Sequence, residues 1–157
     1  MKIPFEPYFI ALLIMLMTSN VRALEPAEGM VVMKSAHPAA VTLDRMAVLM
    51  KSKGIQVIAR VNHDENARSV GMSLRPTELL IFGNPKLGSK LFSSAQTAGI
   101  DLPMKALAWQ DEAGQTWLAY NDPGYIAKRH GIGDQDEVVN KMSSALKRFA
   151  TMAAEKP

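Results

Sequence analysis

The chain alternates short β-type runs with helix-type periodicity, in an order that leaves few architectures open. Residues 30–35 (Met-Val-Val-Met-Lys-Ser) form a first β-rich run, which His37-Pro38 breaks. A helix opens at Ala40 or Thr42, with Val41, Met46, Leu49 and Met50 at near-helical spacing. Lys51, Lys53 and Gly54 supply its C-terminal signature. Residues 55–62 alternate apolar and polar and predict a strand. Residues 63–71 are polar and predict a short helical turn or loop. Residues 79–82 (Leu-Leu-Ile-Phe) are a continuous apolar run stopped by Gly83-Asn84-Pro85, the pattern of a buried strand, and 85–94 suits a short helix with Pro85 at its start. Residues 104–110 and 116–120 are two further strands, joined by a tight connection over 111–115. A short helix over 123–130 closes at Gly131. Beyond Asp134, the positions Val138, Met142, Ala145, Leu146, Phe149 and Met152 make one apolar stripe.

This order predicts an α+β fold: a two-layer arrangement with an antiparallel sheet and helices on one face. No internal repeat or low-complexity segment interrupts it, and 157 residues fit one domain. A sheet covered on one face has a second face to expose or bury, so a homodimer is the expected partner state.

The N-terminus reads as an export signal. Lys2 gives a small positive region, residues 9–17 are uninterruptedly apolar, and Val21-Arg22-Ala23 resembles a small-residue cleavage site. The apolar run is shorter than the ~20 residues of a membrane span. The expected division is 1–23 signal peptide and 24–157 a single domain, in the periplasm or outside the cell after cleavage near Ala23, with no transmembrane span in the mature protein. An uncleaved anchor is the alternative. Formal charge is +3, and removal of Lys2 and Arg22 together with Glu6 lowers it to +2. Lys and Arg are scattered, so no nucleic-acid partner is expected.

The absence of cysteine excludes disulfides, thiolate nucleophiles and Cys-ligated metal. No G-x-S-x-G, GxGxxG or P-loop is present. Met46 and Met50, one helical turn apart, fit core filling better than a Cu(I) site, and no metal or other cofactor is expected. The three histidines are His37, His63 and His130. His63 ends a strand beside Asp64 and Glu65, and His130 ends a short helix, where a cation favours the helix dipole. Each is a candidate general acid/base, and each also fits a purely structural role.

The runs Lys53 through His63 and Leu74 through Pro85 closely resemble the core of domain-of-unknown-function family 302. So do Asp101-Leu102-Pro103-Met104-Lys105-Ala106, Trp109 through Gly114, Tyr120-Asn121-Asp122-Pro123 and Tyr125 through His130. The resemblance implies a β-α-β(4)-α fold, similar in layout to one repeat of the TATA-box-binding protein, and dimers. It implies no activity, because fold does not fix function. Some relatives carry Cys-Asn-Pro where this chain has Gly83-Asn84-Pro85, so no thiol chemistry transfers.

Polar residues at strand ends and turns supply the candidate site: Arg75, Thr77, Asn84, Lys105, Tyr120 and Asn121 for ligand binding, with His63, His130 and Asp122 as catalytic candidates. The leading expectation is an exported binding module taking a small polar or anionic molecule near Arg75, Lys105 and His130. The alternatives are a small hydrolase or lyase using His63 or His130, with Asp122 orienting the imidazole, and a structural partner in an envelope complex.

Overall fold

The computed structural model describes residues 25–156, so the expected export signal lies outside the described residues. Five strands, β1 (Met30–Ser35), β2 (Gln56–Asn62), β3 (Thr77–Gly83), β4 (Met104–Gln110) and β5 (Thr116–Asn121), form one sheet in the order β1-β5-β4-β3-β2. Every neighbouring pair is antiparallel. From β1 at one edge, helix α1 (Ala39–Lys51) carries the chain to β2 at the other edge, and a meander leads back.

Side-chain alternation assigns the two faces. On β3 and β4 the residues Glu78, Leu80, Phe82, Met104, Ala106 and Ala108 are buried, while their neighbours in sequence are half-buried. Large side chains from α1 meet small ones from the sheet. Leu43, Met46 and Met50 are fully buried, as are Ala106 and Ala108, and α1 lies against β3 and β4. The long C-terminal helix α5 (Asp136–Ala154) packs on α1 and β1, burying Ala150 and Ala153 where the helices meet. Both methionines of the Met46/Met50 pair are therefore core residues.

Two arginines lock the layers together. Arg45 of α1 donates from Nε to the Ala153 carbonyl at 3.0 Å and from Nη2 to the Met152 carbonyl at 3.0 Å. It thereby satisfies the last turn of α5, where a cation also favours the dipole. Arg60 of β2 donates to Glu78 at 2.6 Å, to Asp44, and to the Ala40 carbonyl at 3.0 Å. Burial opposes the Arg60 charge, but its bonds to Asp44 and Glu78 outweigh that and raise its pKa. Glu78 thus finds a partner on the helix-facing side of the sheet.

The expected strands and helices are present with shifted ends. Helix α1 starts at Ala39 and stops at Lys51, leaving Lys53 and Gly54 in the following turn, where Gly54 has φ +71°. β3 begins at Thr77 rather than 79, because Glu78 is paired and buried. Residues 63–71 contain helix α2 (His63–Ser69), and α3 (Pro85–Ser94) starts at its proline as expected. Helix α4 (Pro123–Arg129) ends just before His130. A 3₁₀ turn over Gln96–Ile100 was not legible in the sequence.

Met46→Ala is expected to cost about 2–5 kcal/mol in urea unfolding, since it opens a void at the α1–sheet contact. Arg60→Met leaves Glu78 unpaired and is expected to cost about 2 kcal/mol, recovered in large part by adding Glu78→Leu.

Candidate functional site

The meander divides the polar candidates between the two ends of the sheet. One end holds the β4–β5 hairpin and the β2–β3 connection; the other holds α3, the 3₁₀ turn and α4. His63, Arg75 and Thr77 lie at the hairpin end. Asn84, Lys105, Tyr120, Asn121, Asp122 and His130 lie at the α3 end. Lys105 is in register with Ile81, four residues along β3 from Thr77, so Arg75 and Lys105 are separated by roughly 20 Å. A single small ligand cannot touch Arg75, Lys105 and His130 together, and the expected grouping of these three does not form.

At the hairpin end the polar groups bond to the fold itself. Arg75 donates from Nε to the Gln110 carbonyl at 3.2 Å and faces Glu112 at 3.7 Å. The Thr77 hydroxyl donates to the Arg75 carbonyl at 2.8 Å, and the Thr77 amide donates to Asp64 at 3.0 Å. Asn62 caps α2 by accepting from the Glu65 amide. The His63 side chain takes part in none of the hydrogen bonds among the described residues. Asp111 organises the hairpin, accepting from the Trp117 indole at 2.7 Å and from the Ala113 and Gln115 amides at 2.9 Å each. The Trp117 bond holds the Asp111 carboxyl below the usual carboxylate range. Desolvation opposes this, while the two amides and Arg75 add to it.

At the α3 end, Asp101 is the hub. Its carboxylate meets His130 Nε2 at 2.7 Å and Arg129 at 3.4 Å, and its carbonyl accepts from Lys105 Nζ at 2.9 Å. His130 Nδ1 lies 3.1 Å from the Thr97 hydroxyl. The side chains of His130 and Asp101 are only 8% and 12% exposed, so both imidazole nitrogens are engaged in a nearly closed setting. The residue that orients His130 is Asp101, not Asp122. Asp122 instead caps α4, accepting from the Tyr125 amide at 3.1 Å. Asn84 caps α3 in the same way, accepting from the Lys86 amide at 3.0 Å. Lys105 spends its ammonium on the Asp101 and Pro103 carbonyls. Tyr120 is buried, and burial followed by the Asp122 charge pushes its phenol upward. Asn121 is exposed at the end of β5. Gly29, with φ +77°, lets the chain pass against the Tyr125 ring, where any Cβ would overlap it.

Among the described residues no three His, Asp or Glu side chains converge to hold a metal ion. A separate, apolar cavity of about 290 Å³ lies beside α3, floored by Phe82 and Met104 and walled by Phe92, Leu146 and Phe149. Thr97 and the cavity escaped the sequence reading. The 3₁₀ turn that presents Thr97 has no periodic signature, and the cavity draws its walls from segments far apart in the chain.

His130→Ala is expected to cost about 2 kcal/mol, because it leaves Asp101 underpartnered at a nearly closed site, whereas Asp122→Ala is expected to cost the ~1 kcal/mol of a lost cap. Asp111 has a depressed pKa in the fold, so its contribution is fully present above the unfolded value near 3.9 and is lost as pH falls through the lower folded value. The Trp117 indole N–H resonance should therefore stay fixed down to about pH 4 and move only below it, and Asp111→Ala should remove that step.

The chain is 45% identical over 113 residues to a protein named fluoride-specific ion channel FluC 1 from Brucella suis biovar 1, covering 72% of this chain and 44% of that protein. It is equally similar to fluoride-specific ion channel FluC 2 of Brucella melitensis biotype 1, with 72% of this chain and 42% of the relative covered. The chain thus spans less than half the length of these curated relatives. A crystal structure of an uncharacterized conserved protein DUF302 from Bacillus stearothermophilus superposes with a TM-score of 0.72, covering 81% of this chain and 99% of that one. Sequence identity there is 17%, so the likeness is one of fold. The model of the domain of unknown function DUF302 matches residues 31–149, and the chain belongs to that family.

Proposed function

We propose that this chain is an exported, homodimeric binding module, paired through the uncovered face of its sheet and open to a ligand at the α3 end. The observation that carries the pairing is a row across all five strands: Val32, Ala119, Leu107, Leu79 and Val61 stand in register on the face away from α1. Four of these are partly exposed, and Ala119 is buried among larger neighbours. A parallel row, Lys34, Trp117, Trp109 and Thr77, flanks them, with the Lys34 ammonium 5.6 Å from the Trp117 ring centre. The charged residues Lys34 and Lys105 lie outside the central row. A two-fold axis through that row would bring identical apolar patches together without opposing like charges at the centre. Export is supported by the N-terminal sequence pattern.

The channel activity named for the Brucella relatives is not part of this reading. Less than half of each relative is matched, and among the described residues no helix is long and apolar enough to cross a membrane. A second reading, a small hydrolase or lyase, draws on one observation: Thr97, His130 and Asp101 stand in the order hydroxyl, imidazole, carboxylate. Thr97→Val keeps the side-chain shape and removes the hydroxyl, so on this reading it abolishes turnover of a substrate found by screening while leaving stability nearly unchanged.

On the leading reading, the protein recovered from the periplasm is a dimer at micromolar concentration in analytical ultracentrifugation. Leu107→Arg, placing a charge at the centre of the apolar row, is expected to weaken the dimer by about 30-fold or more. A wild-type monomer at that concentration overturns the pairing.

A further inference from the structure

The cavity beside α3 has a chemical character that narrows what it can hold. Its floor is the helix-facing side of β3 and β4, where Phe82 and Met104 stand, and α5 closes the far wall with Met142, Leu146 and Phe149. Helix α3 forms the near wall but buries only Leu91 of its own residues, leaving Phe92 36% exposed, and Ile58 at the rim is 55% exposed. Apolar surface left wet in this way is stabilised by any apolar body that covers it. No Asp, Glu, Lys, Arg or His lines the cavity. The polar lining side chains are Gln56, Asn84 and Ser89. Asn84 uses its carbonyl oxygen on the Lys86 amide, and its NH₂ group makes no hydrogen bond to another described residue.

Size and charge together select the occupant. A dry apolar cavity of about 150 Å³ accommodates a benzene-sized body, so about 290 Å³ suits an apolar body of about ten to twelve carbons. A carboxylate or ammonium drawn down to its floor, against Phe82 and Met104, would lose its hydration with no ion to replace it. A hydroxyl, ester or amide, by contrast, finds neutral donors and acceptors in Asn84, Gln56 and Ser89. Resting on the binding-module reading above, we propose that this cavity is a binding site for an uncharged amphiphile: an apolar body of about ten to twelve carbons with a single neutral polar end.

The test uses the full dimeric protein, exported under its own signal and labelled with ¹³C at the methionine methyls. Met104 and Met142 line the cavity, while Met46, on α1, is fully buried outside it and serves as an internal control. Titration with 1-decanol is expected to shift the Met104 and Met142 resonances to saturation below the solubility limit of the alcohol, with Met46 unmoved. Sodium decanoate at pH 8 is expected to bind at least tenfold more weakly. Gly88 faces the cavity from α3, and a Cβ there meets only Phe92, at an ordinary 3.6 Å. Gly88→Leu therefore fills the space, gains helix propensity, and is expected to abolish the shifts. Ala145→Leu does the same from the α5 wall and stands in should the first variant misfold. The proposal is overturned if decanol moves neither resonance, if both filled variants respond as the wild type does, or if decanoate binds as tightly as decanol. It is also overturned if the two resonances shift with protein concentration alone, which would make a second copy the occupant. Sedimentation of the same sample reports the dimer separately, so loss of binding with an intact dimer counts against the ligand and not against the pairing.

Discussion

Everything in this fold hangs on the contact between α1 and the small residues of the central strands. Ala106 and Ala108 are fully buried and offer almost no side chain, so α1 can settle close to β3 and β4 and bury Leu43, Met46 and Met50 completely. Each such burial is worth about 1.5–3 kcal/mol. Once α1 is fixed there, α5 has a groove to occupy, and Arg45 reaches its last carbonyls. Arg60 and Glu78 then tie the β2 edge to the same helix. Because the helices gather on this one face, the described residues leave the apolar row of the opposite face uncovered, and the gap between α3 and α5 remains as a cavity. The two places we connect with function are consequences of one packing choice.

Much of this architecture could be read from the chain. The strand at 104–110 was legible because its mostly apolar run is bounded by Pro103 and by the polar connection 111–115, and α3 was legible because Pro85 fits the start of a helix. The start of β3 was hidden, since Glu78 looks like a loop residue until Arg60 is seen beside it. The 3₁₀ turn at Gln96–Ile100 is too short to carry periodicity.

The candidate site was less legible, for a topological reason. Arg75 and Lys105 are neighbours in a list of cationic strand-end residues, but the β3–β4 pairing sends them to opposite ends of the sheet. His130 was paired in expectation with Asp122, which is close in sequence. The fold gives it Asp101, 29 residues away, while Asp122 takes the local task of capping α4. Local chemistry, caps and turns above all, absorbed the polar residues that sequence proximity had suggested for a ligand. The cavity has no motif because Ile58, Phe82, Phe92, Met104 and Leu146 meet only after folding.

Pairing through the uncovered sheet face is directly measurable because the chain has no cysteine. Val48 lies on the solvent side of α1 and is 67% exposed, so Val48→Cys accepts a spin label without disturbing the core. In a dimer joined sheet to sheet, the two helical layers are outermost, and three stacked spacings of about 10 Å place the labels about 30 Å or more apart. Double electron–electron resonance should show one distance in that range. A distance below about 20 Å, which would put the helical layers in contact, or no dipolar modulation at all at micromolar concentration, would rule out sheet-to-sheet pairing.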